Sequence, residues 1–341
     1  MFYNLKLLFL TTILAILHNV TGLFDPVSLG VAAGVGLGAF KFEFLKDQTY
    51  CRMAECCNER SIPADIMGLK RELSNTLFGQ HIVQQKLIPA LEAHFSGRRN
   101  SRKPLVISFH GTPGTGKNFV ADQIANKLYA KGLESKFVHK YMGRSDFPVA
   151  QDAKLYTERI NREVREGIRA CPRSLFIFDE VDKMPAGVFE SLTSLVDYNA
   201  FVDGQDTTQA IFIFLSNTAG VYISDKLGQL IKSGTLREDT NLGHFEQILE
   251  KAAYNLEGGL KKTSLIEAHV IDHFIPFLPL EKSHVYKCIE QEYKRWNARP
   301  KEGAIENIIN DSITYDRTNG IFATSGCKKL DKKVAVEVMS G

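Results

Sequence analysis

Gly111-Thr112-Pro113-Gly114-Thr115-Gly116-Lys117 has the spacing Gly-x-x-x-x-Gly-Lys. It follows Leu105-Val106-Ile107-Ser108-Phe109, a run fit for a buried strand, and opens a helix-like stretch from Asn118 to Ala130. In that setting the glycines let the backbone curl until successive amides point at one anion, and the helix N-terminus adds its positive end. Lys117 would bring a full charge to the β- and γ-phosphates of ATP. Most such loops continue with Ser or Thr, whose hydroxyl ligates magnesium. Here Asn118 takes that place. An amide oxygen can bind Mg2+ from its longer side chain, so altered metal geometry and slow hydrolysis are expected, with nucleotide binding retained.

Two further apolar runs end in polar residues. Leu175-Phe176-Ile177-Phe178 leads into Asp179-Glu180. Asp179, leaving the carboxyl edge of a parallel strand, is placed to hold magnesium, and Glu180 beside it can polarise an attacking water. Ile211-Phe212-Ile213-Phe214-Leu215 leads into Ser216-Asn217, where a neutral amide can orient water near the γ-phosphate. An acidic pair or an Asn after one strand is commonplace in loops. Three such elements in order behind a phosphate loop are not.

Positioning these residues requires the strands to lie side by side with their carboxyl ends together. Fully apolar strands alternating with helical segments indicate α/β architecture, a parallel sheet covered by helices on both faces. Helical patterns are expected over 66–77 and 80–95, and the basic stretch 97–104 is expected to be a loop. From about Ser264 the strands fade and helix-like text takes over. The expected organisation is a signal peptide over 1–22 and an apolar segment over 23–42. A large nucleotide-binding domain with a Cys-rich lead-in comes next, over 43–263, then a small, mostly helical domain over 264–341.

The N-terminus has Lys6, an apolar run over 7–17 and small residues near Gly22, the pattern of a cleavable signal peptide. An uncleaved anchor is the competing reading, and the shortness of the run disfavours it. The uncharged stretch 27–40 is also short for a span and lacks a polar face, which favours attachment to a membrane surface. With 42 basic and 39 acidic residues interleaved, the chain lacks the basic excess of a nucleic-acid binder. Six cysteines suit an oxidising compartment and allow 15 full pairings. The cluster Cys51, Cys56 and Cys57 lacks the Cys-x-x-Cys spacing of a zinc site. Asn19 and Asn310 head glycosylation sequons; the first falls within the signal, leaving Asn310 as the candidate.

Gly116-Lys117-Asn118-Phe119-Val120 resembles the torsin variant of the Walker A motif, in which Asn is the distinguishing residue. Ile177-Phe178-Asp179-Glu180-Val181-Asp182-Lys183-Met184 resembles the torsin Walker B region, and Phe214-Leu215-Ser216-Asn217 the first sensor of AAA+ proteins. Gly326-Cys327-Lys328 is similar to the family's second sensor, with Lys328 reaching the γ-phosphate. Tyr50-Cys51 through Cys56-Cys57 and Phe277-Leu278-Pro279-Leu280 fit as well, so the resemblance spans about 51–328.

It implies a Clp-like AAA+ fold: a P-loop nucleotide domain followed by a small helical lid. It also implies residence in the endoplasmic reticulum lumen and nuclear envelope, peripheral membrane attachment, homo- or hetero-oligomers, and no KDEL-type tail. By the same resemblance the chain lacks an arginine finger and is slow alone. Type II membrane proteins with AAA-like lumenal domains, of the lamina-associated polypeptide type, would donate the arginine in trans, and such a group is worth roughly 10³–10⁵ in rate. Arg237, downstream of the first sensor, is expected to be structural or interfacial. The resemblance pairs Cys288 with Cys327, as a redox sensor or a static staple, and Cys51 with Cys171. Tyr141-Met142-Gly143 is a weak pore-loop candidate, so threading is not expected. A nucleotide-gated assembly switch with little hydrolysis is the alternative function.

Overall fold

Successive residues of β1 (Leu105–Gly111), β3 (Leu175–Asp179) and β4 (Ile211–Ser216) point to opposite faces of one sheet, and both faces are buried. Val106, Phe176, Phe178, Phe212 and Phe214 enter one core. Leu105, Ile107, Phe109, Leu175, Ile177, Ile211, Ile213 and Leu215 enter the other. Burial on both sides is why these strands read as mostly apolar runs, with the buried Ser108 and His110 of β1 bonded to each other. The computed structural model describes residues 51, 54–96, 102–198, 201–202, 204–255, 258–316 and 320–340. The segments expected to be a signal peptide and a membrane-associating stretch, and Asn19, lie outside those residues. No described helix is long and apolar enough to cross a membrane.

The sheet has five parallel strands in the order β2-β3-β4-β1-β5, with β2 at Val138–Met142 and β5 at His273–Phe277. Register aligns aromatic side chains across the strands. His139 stacks on Phe176 and Phe176 on Phe212, with ring centroids 4.8 and 4.9 Å apart; Tyr141 stacks on Phe178 and Phe178 on Phe214 at 4.9 and 5.2 Å. Tyr141 is thus a sheet residue, 8% exposed, and not part of a projecting pore loop.

Helices cover the sheet. In α1 (Ile66–Thr76) the Asp65 carboxylate accepts the Gly68 N–H at 2.8 Å, satisfying one of the otherwise unpaired first-turn donors. Next come α2 (His81–Phe95) and α3 (Lys117–Leu128), the helix that β1 feeds through the glycine-rich loop. In α4 (Ala153–Ala170) the buried Tyr156, Ile160, Val164 and Ile168 recur every fourth residue, forming one apolar stripe. Two more helices, α5 (Gly220–Lys232) and α6 (Glu246–Asn255), come after β4.

β5 corrects the expected boundary at 263/264, because it completes the main sheet and carries that domain to Phe277. A separate small core begins at Leu280. It is built from β6 (Leu280–Glu281), α7 (Lys282–Arg295), α8 (Ala304–Ser312), β7 (Phe322–Ala323) and α9 (Leu330–Ser340), around Val285, Ile289, Ile305, Ile309 and Val334. This C-terminal subdomain is mostly helical.

The chain divides into units at residues 1–56 and 57–341. In the first, Cys51 is bonded to Cys56; in the second, Cys57 is bonded to Cys171 and Cys288 to Cys327. The expected pair Cys51–Cys171 is therefore wrong. Cys171 is fully buried in the core against which Cys57 packs, and Cys51 instead closes a local loop.

Candidate functional site

Because β4 lies between β3 and β1, the carboxyl ends of these three strands are adjacent. The residues just beyond those ends therefore meet in space. A cleft of about 520 Å3 is lined by Pro113, Gly114, Thr115, Gly116, Lys117, Asn118 and Phe119 from the loop and α3. Asp179 at the end of β3, Glu180 just after it, Asn217 after β4, and Lys328 from the C-terminal subdomain complete the expected set. Gly111 and Thr112 are not among the lining residues. Their carbonyls instead receive the Lys117 ammonium, at 2.7 and 3.0 Å.

The loop's glycines are there for conformation and clearance. Gly114 has φ +79° and Gly116 φ +104°, and a Cβ on Gly114 would lie 1.9 Å from the Ser325 carbonyl oxygen. Gly116 is the residue before α3, so the loop runs directly into a helix N-terminus. Lys117 is 5% exposed, and burial lowers its pKa to about 8, against the pull of Asp182 and Asp179. Burial raises the Asp179 pKa in the same cleft. One oxygen of Asp179 accepts the Glu180 N–H at 2.8 Å, and the other accepts from the Asn118 amide. Asn118 thus bonds the carboxylate opposite it.

Glu180 adopts φ +52°, a left-handed conformation unusual for a residue with a side chain. It leaves β3 in a sharp turn against Gly143, where a Cβ would meet the Glu180 carbonyl oxygen at 2.3 Å. The Glu180 carboxylate lies 3.3 Å from Arg144 Nε. Asn217 is held by Asp182, whose Oδ1 accepts the Asn217 backbone N–H at 3.0 Å and its side-chain amide at 3.4 Å. Asp182 was not singled out from the sequence beyond its place in a motif. The signal was its position three residues beyond Asp179, where a short turn (Val181–Lys183) returns it beneath the neighbouring strand's end.

Sequence reasoning also missed the wall opposite the loop. Thr76, Leu77 and Phe78 at the end of α1, with Gln291, Glu292 and Arg295 of α7, line the cleft. Cys288 and Cys327 line it too, so their disulfide is part of the cleft wall. Arg237 is buried, bonding Glu281 at 3.0 Å and the Gly79 carbonyl at 2.8 Å, as a structural residue would. Asn310 is elsewhere, exposed on α8 beside a shallow groove with Glu281, Lys282 and Tyr315.

Comparison with known proteins agrees with this geometry. The torsin family profile matches residues 51–178. A torsin-like protein of Drosophila melanogaster is 60% identical over 318 residues, covering 92% of each chain. One from Caenorhabditis elegans is 36% identical over 308 residues, covering 89% of this chain and 86% of the other. Among solved structures, the S. cerevisiae Hsp104–ADP complex superposes with a TM-score of 0.53 at 17% identity, over 85% of this chain and 50% of that one. The S. cerevisiae Hsp104–casein complex in its extended conformation gives 0.54 at 17% identity, over 86% and 50%. This chain spans about half the length of the Hsp104 chains, and the likeness to them is one of AAA+ fold. With its fold, its cleft and these relatives, the chain belongs to the torsin family.

Proposed function

We propose that the chain is an ATP-binding AAA+ ATPase with chaperone-like remodelling activity on protein or membrane assemblies of the endoplasmic reticulum lumen and nuclear envelope. It is slow alone and is activated by an arginine from the lumenal domain of a membrane partner. The observation that carries this reading is the convergence, in one cleft, of the phosphate loop, Asp179-Glu180 and Asn217 from three adjacent strand ends.

The residues present fit ATP and Mg2+. The Thr112 hydroxyl is buried without a partner, Gly114 and Gly116 take the positive φ that the loop lining the cleft requires, and Lys117 turns its ammonium onto the carbonyls of its own loop. Burial lowers the Lys117 pKa and raises that of Asp179, so each charge is under-compensated as it stands. A polyphosphate with a divalent cation supplies opposite charge to both. Lys117 and the loop amides would bind the phosphates; Asp179 and Asn118 would hold the metal, which when bound neutralises charge building on the phosphates. Glu180 would take up the proton of the attacking water and Asn217 would orient that water. Phe119 and Lys328 border the same space.

Two arginines line the cleft, and each already faces a carboxylate. Arg144 pairs with Glu180 at 3.3 Å and Arg295 with Glu292 at 2.6 Å. That arrangement supports a transition-state arginine supplied in trans. The Asn118–Asp179 bond favours the second reading, an assembly switch with little hydrolysis, because it occupies an oxygen the metal would use. Steady-state ATP turnover, with and without an arginine-bearing lumenal activator domain, separates the two. Strong stimulation supports the ATPase; tight nucleotide binding with no stimulation by any activator supports the switch.

A further inference from the structure

One buried side chain joins the phosphate loop to the linker that leads into the C-terminal subdomain. Gln80, just before α2, is 1% exposed. Its carboxamide nitrogen donates to the Thr115 carbonyl at 3.1 Å and to the Leu278 carbonyl at 2.8 Å, and its oxygen accepts the Leu278 N–H at 2.8 Å. A primary amide has two N–H donors and a carbonyl acceptor, and here both kinds of group are engaged. Glutamate lacks the donors, leucine lacks both, and asparagine is one methylene too short to span the same gap.

The two ends of this bridge matter. Thr115 sits in the loop between Gly114 and Gly116, and Leu278 lies between β5, the last strand of the main sheet, and β6, the first element of the subdomain. A second bond crosses nearby: the Gly114 carbonyl accepts the Cys327 N–H at 3.0 Å, next to Lys328. Arg237 braces the same junction, linking Gly79, the residue before Gln80, to Glu281 in β6.

We propose that Gln80 is a positioning residue: it makes the placement of the C-terminal subdomain, and so of Lys328, depend on whether the phosphate loop is occupied. The proposal rests on the nucleotide reading above. A phosphate that draws Lys117 off the Gly111 and Thr112 carbonyls changes the forces on the loop's peptides. Any turn of the Thr115 carbonyl must then either break a buried hydrogen bond or carry Leu278 with it. Because the amide is shut off from water, a broken bond finds no replacement, and moving the linker is the cheaper outcome.

The test uses the full, oxidised chain. ATP affinity is measured for Gln80→Leu, Lys328→Ala and the double variant, with Gln80→Glu replacing Gln80→Leu should the latter fail to fold. Coupling predicts that Lys328→Ala weakens binding about tenfold in the native background and less than about twofold when Gln80 is replaced. Independent effects, additive within about twofold, overturn it. Hydrogen exchange of the Leu278 amide in the unsubstituted chain gives a second readout that a merely structural role would not move. ATP slows it by about tenfold if the coupling holds, and an unchanged or faster rate refutes the coupling. Failure of the unsubstituted chain to bind ATP at all would instead overturn the nucleotide reading on which the proposal rests.

Discussion

Replacing Asp182 by Asn should shift the pH range over which the chain binds nucleotide. The Asp182 side chain is 4% exposed, and its Oδ1 holds Asn217 through two hydrogen bonds of 3.0 and 3.4 Å. Asn keeps the shape and that acceptor, and replaces the charged Oδ2 that faces Lys183 Nζ at 3.3 Å by a neutral amide nitrogen. The charge acts on Lys117: burial holds the ammonium's pKa at about 8, and Asp182 is the leading influence raising it. A phosphate binds the protonated lysine. In the native chain, affinity should therefore be flat below pH about 8 and fall about tenfold per unit above it, until the bound lysine itself deprotonates. Without the carboxylate the Lys117 pKa falls, so the break moves to lower pH. Every unit of that movement weakens binding at pH 9 by about tenfold. Well below both breaks the variant should bind at least as tightly, since a charge that repels phosphate has gone. Titrating a fluorescent ATP analogue from pH 7 to 9.5 at constant ionic strength reads this, above the range where phosphate itself titrates. A break at the same pH in both proteins, or at higher pH in the variant, refutes the electrostatic account of the site.

Other perturbations test the fold. His110 is fully buried, and burial together with Lys117 pushes its pKa to about 3. The unfolded chain takes up a proton there from pH 6.5 downward and the folded chain does not. His110 therefore removes about 1.4 kcal/mol of stability per unit of acidification between 6.5 and about 3, and in His110→Gln denaturant melts at pH 4.5 and 6.5 should differ by correspondingly less. Cys57→Ser opens a link of sequence separation 114 and should cost about 2–5 kcal/mol, whereas Cys51→Ser opens one of separation 5 and should cost far less. Equal losses in the two variants contradict the pairing described. Phe178, buried between Tyr141, Phe189 and Phe214, should cost about 3–5 kcal/mol on replacement by Ala, read by chemical denaturation.

Which parts were legible in the sequence depends on where each residue's partners lie. The three strands that carry the site were visible because burial on both faces makes them mostly apolar, with Ser108 and His110 of β1 the polar residues away from the strand ends that bear the site. The two edge strands were not. Val138-His139-Lys140-Tyr141-Met142 mixes polar and apolar residues because it has a neighbour on one side only, and its side chains are largely half-buried. His273-Phe274-Ile275-Pro276-Phe277 contains a proline, which reads as a break but is tolerated on the sheet's outer strand, where an N–H can go unused. The meeting of Lys117, Asp179 and Glu180 in one cleft was readable because each belongs to a short motif at the end of a strand. The work of Gln80 and Arg237 depends on partners 198 and 158 residues away in the chain, which no local pattern encodes. Likewise, Cys56 and Cys57 are neighbours in sequence, and only the packing of Cys57 against the Cys171 core tells which one makes the long-range bond.

The central claim is that this cleft hydrolyses ATP with Glu180 as its base, once an arginine arrives from a partner. Its most direct measurement is the chemical identity of the nucleotide recovered after incubation with ATP, Mg2+ and an arginine-bearing activator domain. Unsubstituted chain should yield ADP, and Glu180→Gln should yield ATP still bound. ATP recovered from both, or ADP from both, would contradict the account.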